Sequence, residues 1–208
     1  MSEQFDEIFD VLVIGSGCGG LTAALTADIS NPAKVLVIEK SHLIGGTSAT
    51  SGGVIWIPDN HLGKEKGAQD SISEAKTYLK ATIPADEFNE PLIDAYLDQG
   101  PKMVKFMQDH TDARYTSLEH YPDYFQDAPG VKLGNRALEP LPVSADVLGD
   151  DVDNLHPSGP QTIVFGRYGV NFEESHAFTT QSPGWFRLFA KIFLTYWLDF
   201  SWRIKRKR

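Results

Sequence analysis

Cysteine is almost missing from the sequence. Cys18 stands alone, so no internal disulfide can form, and the chain suits a reducing, cytoplasmic setting. No stretch reaches the roughly 18 consecutive apolar residues that a membrane-spanning helix needs. The opening MSEQFDEIFD is acidic and has no apolar core, which predicts no secretory signal. Positive charge is scarce as well. The formal net charge is -9, and it becomes -14 once the five basic residues of the closing RIKRKR are set aside. Nucleic acid is therefore not an expected partner, because phosphate contacts need a basic surface. The six histidines lack metal-ligand spacing, so no metal site is expected. There is also no Ser/His/Asp pattern with a nucleophile elbow, and no internal repeat.

Glycine is plentiful where it counts. The run FDVLVI, Phe9 to Ile14, suits a buried parallel strand, and GSGCGG follows it. Gly15, Gly17 and Gly20 have the spacing G-x-G-x-x-G. The first glycine of such a loop allows a tight turn, the second lets backbone approach a pyrophosphate, and the third allows close helix-strand packing. The next residues, CGGLTAALTADI, have helical spacing and end at Asn31-Pro32. A second strand, KVLVIEK, completes a βαβ unit, which belongs in a parallel sheet. Glu39 lies 19 residues past Gly20, where an acid accepts hydrogen bonds from an adenosine ribose. Cys18 reads as a small side chain facing the loop interior.

NAD and FAD both use this fingerprint. The following segment GGTSATSGG, Gly45 to Gly53, favours FAD, because dense amides and short hydroxyls can follow a long cofactor toward its ring. The expected FAD-binding residues are Gly15, Ser16, Gly17, Gly19, Gly20, Glu39, Lys40, Gly45, Gly46, Thr47, Ser48, Ser51, Gly52 and Gly53.

An apolar VIWIP comes next and stops at Pro58. SISEAKTYLKAT predicts a helix capped by Ser71 or Ser73. NEPLIDAYLDQGPKMVKFMQDH predicts a second, with Leu92, Tyr96, Met103 and Met107 near one face and a break or kink at Gly100-Pro101. From about Tyr115 to Pro160 the sequence is rich in proline, glycine, tyrosine and acid, and reads as ordered loop anchored by its aromatics. TIVFGRYGV offers a short strand, and a helical, aromatic pattern runs from Trp185 onward. The fold class is thus α/β, with a Rossmann-like FAD-binding βαβ core over residues 1–60. A helical and loop region covers 61–160, and a short strand and basic aromatic helix cover 161–208.

Taken together, DVLVIGSGCGGLTAAL, VLVIEK, GGTSATSGGVIWIP and YPDYF resemble the fumarate reductase-like FAD oxidoreductases, and among them the 3-ketosteroid 1-dehydrogenases. The likeness extends through DAYLDQGPKMVKFM and GRYGVNFEESHAF. It implies removal of hydrogen from two adjacent carbons of a 3-keto steroid, with a base taking the α proton and flavin accepting a hydride. Tyr124, in YPDYF, matches the tyrosine that sits by the substrate in the family's N-terminal part, and Tyr121 is a second candidate. Family members are much longer, and their remaining catalytic tyrosine and carbonyl donors lie in a C-terminal half. The resemblance therefore implies a fragment without a complete active site, inert alone and completed by a complementing half. Two alternatives stand beside it: a fumarate reductase-like flavoprotein reducing an activated double bond, and a truncated, non-catalytic FAD-binding chain. For the tail PGWFRLFAKIFLTYWLDFSWRIKRKR, burial against that further part is the leading expectation, and peripheral contact with an anionic membrane is the other.

Overall fold

The structure is a computed structural model that describes residues 7–159, 163–164 and 168–200. Strand β1 (Val11–Ile14) pairs in parallel with β2 (Val35–Ile38), Val11 opposite Val35 through Ile14 opposite Ile38. Helix α1 (Cys18–Ser30) makes the crossover, starts after Gly17 and ends at Asn31. This is the expected βαβ unit. Its apolar strands are poorly covered among the described residues, with Leu12 56 % and Ile14 79 % exposed.

The segment after β2 coils into a short helix, α2 (Gly46–Thr50), and leads to β3 (Ile55–Trp56). Asn60 caps α3 (His61–Glu65) by accepting from the Gly63 amide at 2.7 Å. Ser71 caps α4 (Ile72–Thr82), accepting from the Glu74 amide, as the sequence predicts. Asn89 caps α5 (Glu90–His110) in the same way.

Helix α5 departs from expectation at two points. It runs unbroken through Gly100 and Pro101. Proline at this position removes one backbone donor, while Gly100 lets the helix close on the core: a Cβ there would stand 3.2 Å from Ile57 Cδ1. The buried face is also different. Leu97, Gly100, Val104 and Met107 are buried, whereas Leu92 and Tyr96 are exposed. Tyr96 faces out because its hydroxyl donates to the Trp56 carbonyl at the rim.

The stretch read as loop carries two strands, β4 (Tyr115–Ser117) and β5 (Ala137–Pro140). They pair with β3 in an antiparallel sheet of order β3-β5-β4. Three-residue and four-residue strands are too short to show a period in sequence. Beyond them, a 3-10 stretch over Ala145–Asn154 bends at Gly149 and ties back to the first unit, where Ile44 accepts from His156 and donates to Asn154. A small pairing joins β6 (Ile163–Val164) to β7 (Tyr168–Gly169), so TIVFGRYGV lies partly outside the described residues. Helices α6 (Phe172–Thr180) and α7 (Trp185–Leu198) follow, and the basic end of the tail lies outside the described residues. Among the described residues no helix is long and apolar enough to cross a membrane.

Ile57, Val104 and Leu138 form the fully buried centre, with Ile55, Leu62, Met103 and Tyr115 packed around it. Leu138 sits on the middle strand and joins sheet to α5. Leu138→Ala should therefore cost about 2–5 kcal/mol, lost transfer energy plus an unfilled cavity. Urea unfolding would measure it, and a loss below about 1 kcal/mol would show that this centre does not carry the domain.

Candidate functional site

The glycine turn is shaped by two constraints. Gly15 has φ +98, a backbone state that L side chains rarely adopt. At Gly20 a Cβ would stand 2.1 Å from the Gly15 carbonyl oxygen and 3.3 Å from Val13 Cγ1. Helix α1 can thus start flush against β1, with its first amides and partial positive charge at the loop.

Side chains from three segments close around that loop. Ser16 is buried, and its hydroxyl donates to Glu39 Oε2 at 2.7 Å while accepting from the Gly45 amide at 2.9 Å. Glu39 Oε2 also takes the Ser16 amide at 3.0 Å, and Oε1 takes the Ser41 amide at 3.0 Å. These donors, the Ser16 amide first and its hydroxyl second, hold the Glu39 carboxyl down at about 2. Ser48 Oγ accepts from the Cys18 amide at 3.0 Å, bringing the hydroxyl-rich segment onto the start of α1. Gly17 and Gly46 lie against one another, a Cβ on Gly46 standing 3.8 Å from Gly17 Cα.

Gly15, Ser16, Gly17, Gly19, Gly20, Glu39, Gly45, Gly46, Thr47 and Ser48 therefore belong to one cradle, with Lys40 exposed at its rim. Ser51, Gly52 and Gly53 lead away from it, Ser51 Oγ accepting from the Gly53 amide. Cys18 corrects the sequence reading. It is exposed, because the first residue of α1 points its side chain outward while its amide turns in to Ser48. A glycine turn at positive φ, the start of a helix and an ionised acid beside it fit a dinucleotide.

The tyrosines mark a second feature, one residue beyond the glycine segment. Val54, Trp56, Tyr78, Leu79, Tyr121 and Tyr124 help enclose a largely apolar cavity of about 340 Å³. The Tyr121 and Tyr124 hydroxyls stand 3.5 Å apart, at the outer limit of a hydrogen bond. The neighbouring Tyr124 hydroxyl first, and burial second, push the Tyr121 phenol above its ordinary value. Phe172 packs edge-on against Tyr121 at 4.8 Å between ring centres, and Tyr121 separates this cavity from a second of about 320 Å³ beside α6.

Beneath the tyrosine cavity lies a buried charge network that the sequence did not announce. Arg136 is 1 % exposed. It donates to both oxygens of Asp70, at 2.9 and 2.7 Å, and to Asp123 Oδ2 at 2.8 Å. Its guanidinium also lies over the rings of Trp56 and Tyr78, at 5.5 and 5.8 Å. Burial is the largest influence on Arg136 and would lower its pKa, but Asp70 and Asp123 outweigh it and the net direction is upward. Asp70 is lowered overall, although burial alone would raise it, since Arg136 and the Asp59 amide favour its charged form.

Comparison with known proteins gives a consistent set of likenesses. The family described as "FAD binding domain" matches residues 10–161. The 3-oxosteroid 1-dehydrogenase of Mycobacterium tuberculosis (strain ATCC 25618 / H37Rv) is 42 % identical over 151 residues, which is 72 % of this chain and 26 % of that protein. The 4-oxocyclohex-2-ene-1-carboxylate 5-dehydrogenase of Sinomonas cyclohexanicum is 38 % identical over 193 residues, 91 % of this chain and 32 % of that one. A solved 3-ketosteroid delta1-dehydrogenase from Sterolibacterium denitrificans, in complex with 1,4-androstadiene-3,17-dione, superposes with a TM-score of 0.87 at 38 % identity. That superposition covers 96 % of this chain and 35 % of that structure. The chain thus spans about a quarter to a third of the length of the relatives it matches.

Glu39 generates a prediction in two parts. A carboxyl held at about 2 against an ordinary 4.5 stabilises the fold fully above the ordinary value, and that contribution is lost as pH falls through about 2. Glu39→Gln should therefore lose less thermal stability than the unsubstituted chain between those pH values, as followed by circular dichroism. It should also weaken FAD by about tenfold or more, a hydrogen bond to a charged group being removed. Equal acid sensitivity and equal FAD affinity would contradict the role assigned to this acid.

Proposed function

The chain belongs to the FAD-binding-domain family, and from that premise we propose that it forms the cofactor-binding and substrate-facing part of a flavin-dependent dehydrogenase acting on a cyclic ketone, of the 3-ketosteroid 1-dehydrogenase type. The observation that carries this reading is the placing of two phenols on an apolar cavity that opens directly beyond the glycine- and hydroxyl-rich segment. Gly15 to Gly20 and the start of α1 hold the pyrophosphate, and Glu39 holds the ribose. FAD, when bound, supplies the hydride acceptor.

The residues around the cavity address the other half of the chemistry. A carbon next to a ketone is a poor acid, so its proton leaves only if the developing enolate oxygen finds donors. The Tyr121 phenol, pushed upward, stays protonated at neutral pH and is suited to donate, not to act as base. Tyr124 is 83 % exposed and carries its hydroxyl to the cavity, where it can meet the ketone or the α proton. An apolar ligand filling the space between these aliphatic and aromatic walls would displace water from it, which would strengthen such hydrogen bonds.

Two observations bear on the substrate. The walls are apolar, which suits an alicyclic ring system such as a 3-keto steroid. No cationic side chain stands among the described lining residues, which disfavours a ligand bearing a carboxylate near the tyrosines. A fumarate-like acid, or a monocyclic oxocyclohexane carboxylate, is thereby the less favoured substrate. A protein of this kind works in the reducing cytoplasm. Its aromatic helix α7, with Ile192 buried and Phe186, Leu194 and Leu198 exposed, would bury that outer face against a further part of the enzyme in preference to an anionic membrane.

Tyr124→Phe removes only the phenolic oxygen. In the assembled enzyme it should lower steroid-dependent dye reduction by about 10²-fold or more, as loss of a proton-transfer or oxyanion group does. Flavin content should stay the same. Unchanged turnover would return Tyr124 to a packing role and leave the dehydrogenase reading without its carrying observation.

A further inference from the structure

Tyr124 presents a contradiction between its side chain and its backbone. Its ring is 83 % exposed, yet Asp123 before it is buried and the backbone of Phe125 after it is tied down. Before it, Asp123 is buried and uses its side chain fully. Oδ1 accepts from Trp56 Nε1 at 2.6 Å, and Oδ2 accepts from Arg136 Nη1 at 2.8 Å and from the Lys132 amide at 2.9 Å. The Asp123 amide in turn donates to the Lys132 carbonyl at 2.9 Å. After it, the Phe125 amide donates to Tyr78 Oη at 3.1 Å. Tyr78 and Trp56 both lie beneath the Arg136 guanidinium and both line the tyrosine cavity.

Burying a carboxylate against a guanidinium is a poor way to gain stability, since desolvation offsets most of the attraction. Arg136 is already neutralised by the bidentate grip of Asp70. A second buried carboxylate adds desolvation cost and adds position, because it ties the tyrosine loop to β3, β5 and α4 at one point. We propose that Asp123, held by Arg136, is a positioning residue that fixes the Tyr121–Tyr124 phenol pair at the wall of the cavity. The proposal rests on the reading of that pair as the ketone-facing donors. Asp123 itself touches no substrate. It acts through the backbone of its neighbours, with Tyr78 securing the far side of the loop.

The test uses the full 208-residue chain with 13Cζ-labelled tyrosine, and follows the Tyr121 phenol by NMR as pH is raised. The titratable side chains that share a cavity with that phenol are Tyr124, Tyr78 and Asp123 on one side, and Glu119, His120 and His176 on the other. Asp123→Asn, nearly the same shape but without the charge that Arg136 grips, should return the Tyr121 midpoint toward the ordinary value of about 10. Asp70→Asn breaks the same buried network on its other side and should lower the melting temperature while leaving the Tyr121 midpoint displaced. If Asp123→Asn does not fold, Arg136→Lys is read instead; a point charge cannot hold both carboxylates in the forked geometry, and the same return is expected.

An unmoved Tyr121 midpoint in the folded variant would overturn the proposal, and so would equal movement in Asp123→Asn and Asp70→Asn. The unsubstituted chain gives an independent check. Its Asp123 and Lys132 amides should exchange hydrogen at least about tenfold more slowly than an open loop, and free exchange at both would also overturn it. Neither readout needs turnover, so failure of the dehydrogenase reading and failure of the positioning role give different results.

Discussion

A guanidinium out of water must be answered, and in this protein the answer organises half the molecule. Arg136 stands just before β5, the middle strand of the antiparallel sheet, and the groups that meet its charge come from different places in the chain. Asp70 lies just before α4, Asp123 lies in the tyrosine loop, and Trp56 lies on β3. None of these elements is long. The strands of this sheet have two to four residues each and could not hold their register by backbone pairing alone. The buried charge gives them one shared requirement: any rearrangement that separates Arg136 from a carboxylate leaves an ion unpaired in the interior, a cost of about 3–5 kcal/mol. The apolar centre of Ile57, Val104 and Leu138 supplies the bulk of the burial. Arg136 supplies the uniqueness.

The two halves of the site use opposite physics. Around the glycine turn the protein offers backbone amides, a helix start and an ionised acid, all suited to a long, charged cofactor. Around the tyrosines it offers hydrocarbon walls and neutral hydroxyls, suited to an apolar ring with one ketone. Gly53 and Val54 join them in the chain, Ser51 Oγ holding the Gly53 amide and Val54 lining the cavity. A hydride transfer of the kind proposed needs its partners close and oriented, and the chain places the two features side by side in sequence.

How much of this could be read from sequence follows from range. The βαβ unit, the G-x-G-x-x-G turn and Glu39 were legible because their demands are local: alternating element types within a few tens of residues, and an acid at the end of the second strand. The cap of α4, read as Ser71 or Ser73 and found at Ser71, was legible for the same reason. The face of α5 was not, because the periodicity of Leu92, Tyr96, Met103 and Met107 competes with that of Leu97, Gly100, Val104 and Met107, and only the position of Ile57 decides between them. The strands β4 and β5 were too short to show a period. Arg136 gave no signal at all: its carboxylates are 66 and 13 residues away, and a single arginine in GNRALEP looks like a surface residue. Tyr121 and Tyr124 stood out through a motif, but the buried carboxylate between them, Asp123, was passed over because a lone acid in YPDYF looks solvated.

The central claim is that one apolar cavity, lined by the tyrosine loop and reached from the flavin side, receives a cyclic ketone. The most direct measurement is an NMR titration of the FAD-loaded chain with 1,4-androstadiene-3,17-dione, following backbone amides and the Trp56 indole. The account predicts that Val54, the Trp56 indole and the amides of Tyr121 to Phe125 shift together along one saturating curve, with a matching change in flavin absorption. Shifts confined to Phe172 and His176 on the far side of Tyr121, or none at all in a chain that holds FAD, would contradict it.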